Sequence, residues 1–399
     1  MRSNLLATAI AIGLGLAAVA PAHAADDTAS QLAAMKAQIA ALQAQLEDLQ
    51  ARTDAQSEVN VTQAKAIEAA QATNTKSDAL AKLVNDTKLS GRMYYDFSHI
   101  DAEDNGVKTS ATGTGFDIKR FYLGVDHKFN DTWSVNLTTD FQYSSAIGAT
   151  EIYIKKAYLE GKFSDAFTMR LGSTDLPWVP FAENAYGYRY IENTLVDRLK
   201  YGTSADWGVH ASGATGSGMF NYAVAMINGA GYKNPSRSKG VDFEGRIGFA
   251  PVEGMTIGLG AYSGKLGKET ETVDVPHTAN RIDALIAYAT PNFRVGAEWF
   301  SAKDWNVAQV DEDKADGYSV FGNVALGGNG INLFARYDSA NTSKDIDPSL
   351  KNTYYNLGVE FPIMKGLKIA PVYKYTKLEN DTGVDLVTKE LGVWGEFRF

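Results

Sequence analysis

The chain has 399 residues, with 38 basic and 47 acidic side chains, a formal charge of −9 and no cysteine. The missing cysteine excludes a disulfide framework, a thiolate metal site and a cysteine nucleophile. The acidic balance, with no basic stripe, excludes nucleic acid as a partner.

The N-terminal segment reads as a signal peptide over 1–24. Arg2 supplies a positive start, Leu5 to Ala20 is a short apolar run, and Ala22-His23-Ala24 fits an A-x-A cleavage site. A membrane anchor is the competing reading, but the run is short and the flank after Pro21 suits cleavage. The chain is thus expected to be exported. Beyond this segment no run reaches the roughly eighteen apolar residues of a membrane helix.

Residues 25–87 form a second segment, rich in Ala, Gln, Lys and Glu; from 28 to 86 it has no Gly, Pro or aromatic residue. Leu32, Met35, Ile39, Leu42, Leu46 and Leu49 recur at spacings of three and four, the seam of a coiled coil. The register then meets Thr53, Gln56, Asn60, Gln63 and Ile67, a polar continuation that weakens the seam but can fix its register. A single amphipathic helix lying on its own barrel is the alternative, and the narrow stripe favours self-association.

From Leu89 the pattern turns to period two, with frequent Gly and aromatic residues. Leu89, Met93, Tyr95 and Phe97 alternate with Ser90, Arg92, Tyr94, Asp96 and Ser98. Trp133, Val135, Leu137 and Phe141 alternate with Ser134, Asn136, Thr138 and Asp140. The texture recurs to the end of the chain and gives about sixteen strands, enough to enclose water. Connections alternate in length. Tight ones fall at 130–132, 164–166, 215–218, 251–254, 290–292, 327–330 and 362–366. Longer polar ones fall near 100–115, 175–204, 229–240, 263–279, 302–317, 339–352 and 377–388. Phe129, Trp133, Phe163, Phe167, Phe220, Phe249, Phe293 and Phe361 flank the tight turns, as an interfacial aromatic girdle would.

The last nine residues, Leu391 to Phe399, keep Leu391, Val393, Phe397 and Phe399 on one face and Glu396 and Arg398 on the other. A closing strand with a lipid face and a wet face has this pattern. A soluble sandwich also alternates, but it does not account for the loop asymmetry, the export signal and the terminal aromatic together. Residues 88–399 are therefore expected to form a transmembrane antiparallel β-barrel. An even strand count puts both ends of the barrel on the short-turn side, which places the coiled coil in the periplasm.

Met169-Arg170-Leu171-Gly172-Ser173-Thr174-Asp175-Leu176-Pro177-Trp178-Val179-Pro180-Phe181, with Tyr190-Ile191-Glu192-Asn193-Thr194-Leu195-Val196-Asp197 after it and Ala157 to Phe163 before it, resembles the phosphate-selective porin O and P family. The resemblance extends over about 89–399. It implies a trimeric bacterial outer-membrane porin whose third extracellular loop, about 175–204, folds into the lumen. It also implies that the terminal Phe399 is read by the outer-membrane assembly machinery. The expected function is passive diffusion of small hydrophilic solutes or ions, anions such as phosphate among them. The alternative is a structural protein whose coiled coil acts as a tether, with a plugged barrel.

The family's arginine ladder and lysine cluster have no residue-by-residue match here. The third-loop segment instead mixes signs: Asp175, Glu183, Arg189, Glu192, Arg198 and Lys200 are the expected constriction residues. Arg92, Arg120, Arg170, Arg246, Arg294 and Arg336 are expected on the lumen wall, since Arg facing lipid at midplane costs about 2–4 kcal/mol. Arg92 with Asp96, Arg281 with Asp283 and Arg294 with Glu298 are spaced to pair locally. Gly124, Gly172, Gly208, Gly248, Gly258 and Gly358 fall on the same face and are expected to leave room for water. The histidines lie on separate segments, and no H-E-x-x-H or G-x-S-x-G motif occurs. No enzyme activity, cofactor or metal is expected. Lipid, further copies of the chain, the assembly machinery and small solutes are the expected partners.

Overall fold

The computed structural model describes residues 27–144, 149–328 and 330–399; the expected signal peptide lies outside them. Two units divide between residues 81 and 82. The first is the greater part of one uninterrupted helix, Asp27–Asp86. Strong helix formers and the absence of Gly and Pro allow a run of about 90 Å at 1.5 Å per residue. Leu32, Met35, Ile39, Leu42, Leu46 and Leu49 are all more than half exposed, and Gln56 Nε2 donates to Asn60 Oδ1 at 3.0 Å. No described helix is long and apolar enough to cross a membrane, which says nothing of strands.

The second unit is a closed barrel. Seventeen strands form one sheet; the two-residue strand Val107–Lys108 only folds back on the end of the first, and the other sixteen close a ring. Each pairs antiparallel with the next in sequence. The closing strand, Asp385–Arg398, pairs with the first, Thr87–Asp104, from Arg92↔Arg398 to Asp104↔Leu386. The expected strands are thus present. Two expected long loops are shorter than the sequence suggested: the first strand runs on to Asp104 and the second starts at Gly113, while near the end strands reach Glu379 and resume at Asp385. Polar residues there continue the ladder instead of leaving it, so composition marked a loop where hydrogen bonding makes a hairpin.

Alternation sorts the faces. Leu89, Phe97, Leu123, Ile152, Ile247, Ile282, Trp299 and Leu391 are exposed on the outside, while Tyr94, Asp96, Asp140, Asp283, Phe334 and Trp394 are buried inside. Rings next to the tight turns meet in pairs, Trp133 with Phe163 at 5.6 Å and Phe220 with Phe249 at 4.8 Å. At the seam Phe399 exchanges both backbone hydrogen bonds with Gly91 at 3.1 Å. Its ring lies where a side chain on Gly91 would stand.

The third loop enters the lumen. It carries helix Val179–Tyr186 and the single turn Leu195–Arg198. Trp178, Val179, Ala182, Tyr186, Tyr190, Ile191, Leu195 and Val196 are buried there. They pack on Leu285, Phe300, Phe321, Phe334 and Trp394 of the wall, with Tyr188 stacked on Phe334 at 4.3 Å. At about 1.5–3 kcal/mol for each large buried side chain, this contact is enough to keep the loop folded inward. Gly187 ends the helix at φ 83°, its N–H bonded to Glu183 O at 2.8 Å. A side chain there would be strained and would also meet the Arg294 guanidinium.

Candidate functional site

Because the loop packs mainly on the later strands, open space remains along the first five and the closing strand. Three cavities adjoin there, each sharing lining residues with the next. The first, about 260 Å³, lies beside Asp117, Lys119, Gln142 and Tyr143. The second, about 210 Å³, is bounded by Arg120, Tyr122, Lys155, Arg189, Tyr232 and Lys233. The third, about 520 Å³, reaches Ser90, Arg92, Arg398 and Phe399 at the short-turn rim. Together they run from the long-loop end of the barrel to the other.

The middle cavity is cationic. Arg120, Lys155, Arg189 and Lys233 surround it, with Asp197 as its one lining carboxylate. Arg120 pairs with Asp140 at 2.8 Å and donates to Gln142 at 2.7 Å. Arg189 pairs with Glu183 at 2.6 Å and reaches Asp197 at 3.7 Å. Lys155 differs: it is buried, 3.5 Å from the Tyr122 hydroxyl and 4.6 Å from its ring centre, and is in no ion pair among the described residues. Burial, then the neighbouring Arg120, lowers the Lys233 ammonium pKa. Burial pushes the Asp197 carboxyl up, with Arg189 pulling the other way.

Two β-bulges build this wall. Opposite Tyr94 and Tyr95 the partner residues are Arg120 and Ile118, so Lys119 is the extra residue. Opposite Thr138 and Thr139 they are Lys156 and Ile154, so Lys155 is extra. An extra residue breaks the strict alternation and lets two consecutive basic side chains face the lumen. Sequence parity pointed to Arg120 and missed Lys119 and Lys155. A Lys-Arg or Lys-Lys dipeptide in an otherwise alternating strand is the signal that was there to be read.

The expected constriction residues divide. Asp175, paired with Lys156, and Glu183 line the open side. Arg189 lies between the first and second cavities. Glu192 lines the first while bonding Lys374 at 3.3 Å. Arg198 is turned to the far wall, 2.9 Å from Asp338 and 3.0 Å from Asn352, and lines none of the three. Lys200 is exposed at φ 63° beside Gly202 and Thr203, in a separate cavity. The wall arginines divide too. Arg92, Arg120, Arg170 and Arg246 border open space. Arg246 donates to Pro177 O at 3.0 Å, Arg336 to Asn193 O at 2.5 Å, and Arg294 sits against Gly187, so these three brace the loop.

Of the local pairs only Arg281 with Asp283 forms, at 2.9 Å. Arg92 reaches across the seam to Glu396 at 3.6 Å instead, and Glu298 bonds the loop. The glycines need correction as well. Gly124 borders the third cavity, but Gly258 makes room for the Phe181 ring, not for water. His277, Asp304 and Glu312 form the one potential metal-ligand group among the described residues. The Lys303 ammonium already lies 2.9 Å from Glu312 and 3.7 Å from Asp304.

Residues 87–280 match the model of the family described as phosphate-selective porin O and P. Over that stretch the barrel is similar to that family. Solved structures share the porin fold. The outer-membrane channel DcaP of Acinetobacter baumannii is 12% identical with a TM-score of 0.59, over 78% of this chain and 97% of that one. The anion-selective porin from Comamonas acidovorans is 12% identical with a TM-score of 0.58, over 78% and 99%. OmpT of Vibrio cholerae, solved in a trimer form, is 14% identical with a TM-score of 0.52, over 78% and 99%. Comparison with curated proteins gives no match. The family match and the fold indicate a porin-type outer-membrane channel rather than an enzyme.

Proposed function

We propose that this porin passes small hydrophilic solutes by diffusion with a preference for anions, without a tight phosphate site. The carrying observation is the Lys155 ammonium, buried on the wall of the middle cavity and in no ion pair among the described residues. An unpaired charge in a narrow, low-dielectric surround acts on passing ions far more than a neutralised pair does. Carboxylates nearby, Asp197, Glu183 and Asp140, oppose the closely held, dehydrated phosphate that a tight site requires. The adjoining cavities argue against the plugged barrel of a tether. Liposome swelling tests the reading: a small monocarboxylate should enter faster than a neutral sugar of equal size, and equal rates would refute it.

Three finer features belong to the same reading. The porin assembles as a trimer. Its helix, bare along the Leu32–Leu49 seam, joins two copies of itself in the periplasm, because an isolated helix has no packing to hold it. Phe399, ordered on Gly91, is the element that the assembly machinery reads.

A further inference from the structure

Trp178 begins the infolded loop and is completely buried. The wall fits it at three points. Its ring fills the place that Gly260 leaves empty; a Cβ there would stand 2.6 Å from the indole Cε3. Its backbone N–H donates to Glu244 Oε1 at 2.8 Å. Its indole Nε1–H donates to Glu298 Oε1 at 3.0 Å. The second oxygen of Glu298 accepts the backbone N–H of Leu195 at 3.2 Å. One carboxylate therefore holds both ends of the stretch that crosses the lumen.

The two glutamates are balanced differently. Glu244 has Arg281 at 3.5 Å. Glu298 is 2% exposed and in no ion pair among the described residues; its bonds to Trp178 and Leu195 are all from neutral N–H groups of the loop. A buried carboxylate without its donors is strongly destabilised. The donors reach Glu298 only when the loop lies where it does, so its solvation and the loop's position are coupled. Neither Trp178 nor Glu298 lines the three adjoining cavities.

We propose that Glu298 and Trp178 are positioning residues: acting from behind the loop, they set the width of a passage they do not touch. The proposal rests on the channel reading above. Glu298→Gln places an amide N–H₂ against one of two donors, and Trp178→Phe keeps an aromatic ring but removes the indole donor. Full-length protein carrying either change is compared with the parent in planar bilayers, with neutral polyethylene glycols of graded size as probes of width. Both changes should raise the occupancy of substates with an altered exclusion limit by about tenfold, the factor set by losing one hydrogen bond to a charged group. Heat-resistance of the assembled barrel should not change, because no strand pairing is touched. Parent-like substates and exclusion limit in both variants would overturn the proposal, and Trp178→Phe decides it if Glu298→Gln fails to assemble. A parent that does not conduct at all would overturn the channel reading and this proposal with it.

Discussion

Lys155→Gln removes the buried one of the two middle-cavity cations, Lys155 and Lys233, that are in no ion pair among the described residues. An ion passing about 6 Å from the ammonium in water feels roughly 0.7 kcal/mol, cut to about 0.4 kcal/mol by screening at 0.1 M salt. The sign is opposite for anion and cation, so losing the charge should lower the anion-to-cation permeability ratio by roughly threefold to fourfold. At about 2.3 kcal/mol per 100 mV, the zero-current potential under a steep KCl gradient should move toward potassium by on the order of 20 mV. Arg198→Gln is the control. That guanidinium faces Asp338 on the far wall, and Arg336 still pairs with Asp338 in its absence, so the potential should stay at the parent value. A Lys155→Gln channel with parent selectivity would refute the reasoning, and a shift with Arg198→Gln alone would move the filter to the loop's other side.

Asp197→Asn removes the lining carboxylate of the same cavity and should raise anion preference at neutral pH. The parent should move the same way on acidification, because burial pushes the Asp197 carboxyl up and it takes its proton before an ordinary aspartate does; a shift toward potassium in zero-current measurements would contradict this. Phosphate should block chloride current weakly, with no saturation in the micromolar range, and tight block in a titration would restore the specificity in the family's name. Deleting Phe399 removes two backbone hydrogen bonds at the seam and the ring over Gly91, and should sharply reduce heat-modifiable protein in outer-membrane fractions. A peptide covering 28–86 should form a helical trimer by sedimentation and circular dichroism; a monomeric, unfolded peptide would remove the helix as an independent assembly element.

The barrel was legible because lipid outside and water inside impose period two on every strand, and Leu89 to Phe97 already display it. The ends of the first and last hairpins were not, since Asp101, Glu103 and Thr388 read as loop while pairing as ladder. Lumen charge was legible as residue type but not as partnership. Arg198 meets Asp338, and Trp178 meets Glu298, across distances in sequence that no local spacing encodes. Lys119 and Lys155 escaped because a single bulge shifts parity, and strict period two passes over the basic dipeptides that mark where the extra residue falls. Gly258 and Gly260 show the same limit: an inward glycine signals space, and only the fold shows that Phe181 and Trp178 occupy it.

The proposed channel is an aqueous passage whose cationic middle section favours anions. The zero-current potential of the unmodified channel, reconstituted in a planar bilayer under a KCl gradient, tests it most directly. Open single-channel steps and a potential displaced toward the chloride equilibrium value are expected. A potential displaced toward potassium, or a correctly inserted barrel that passes no current, would contradict it.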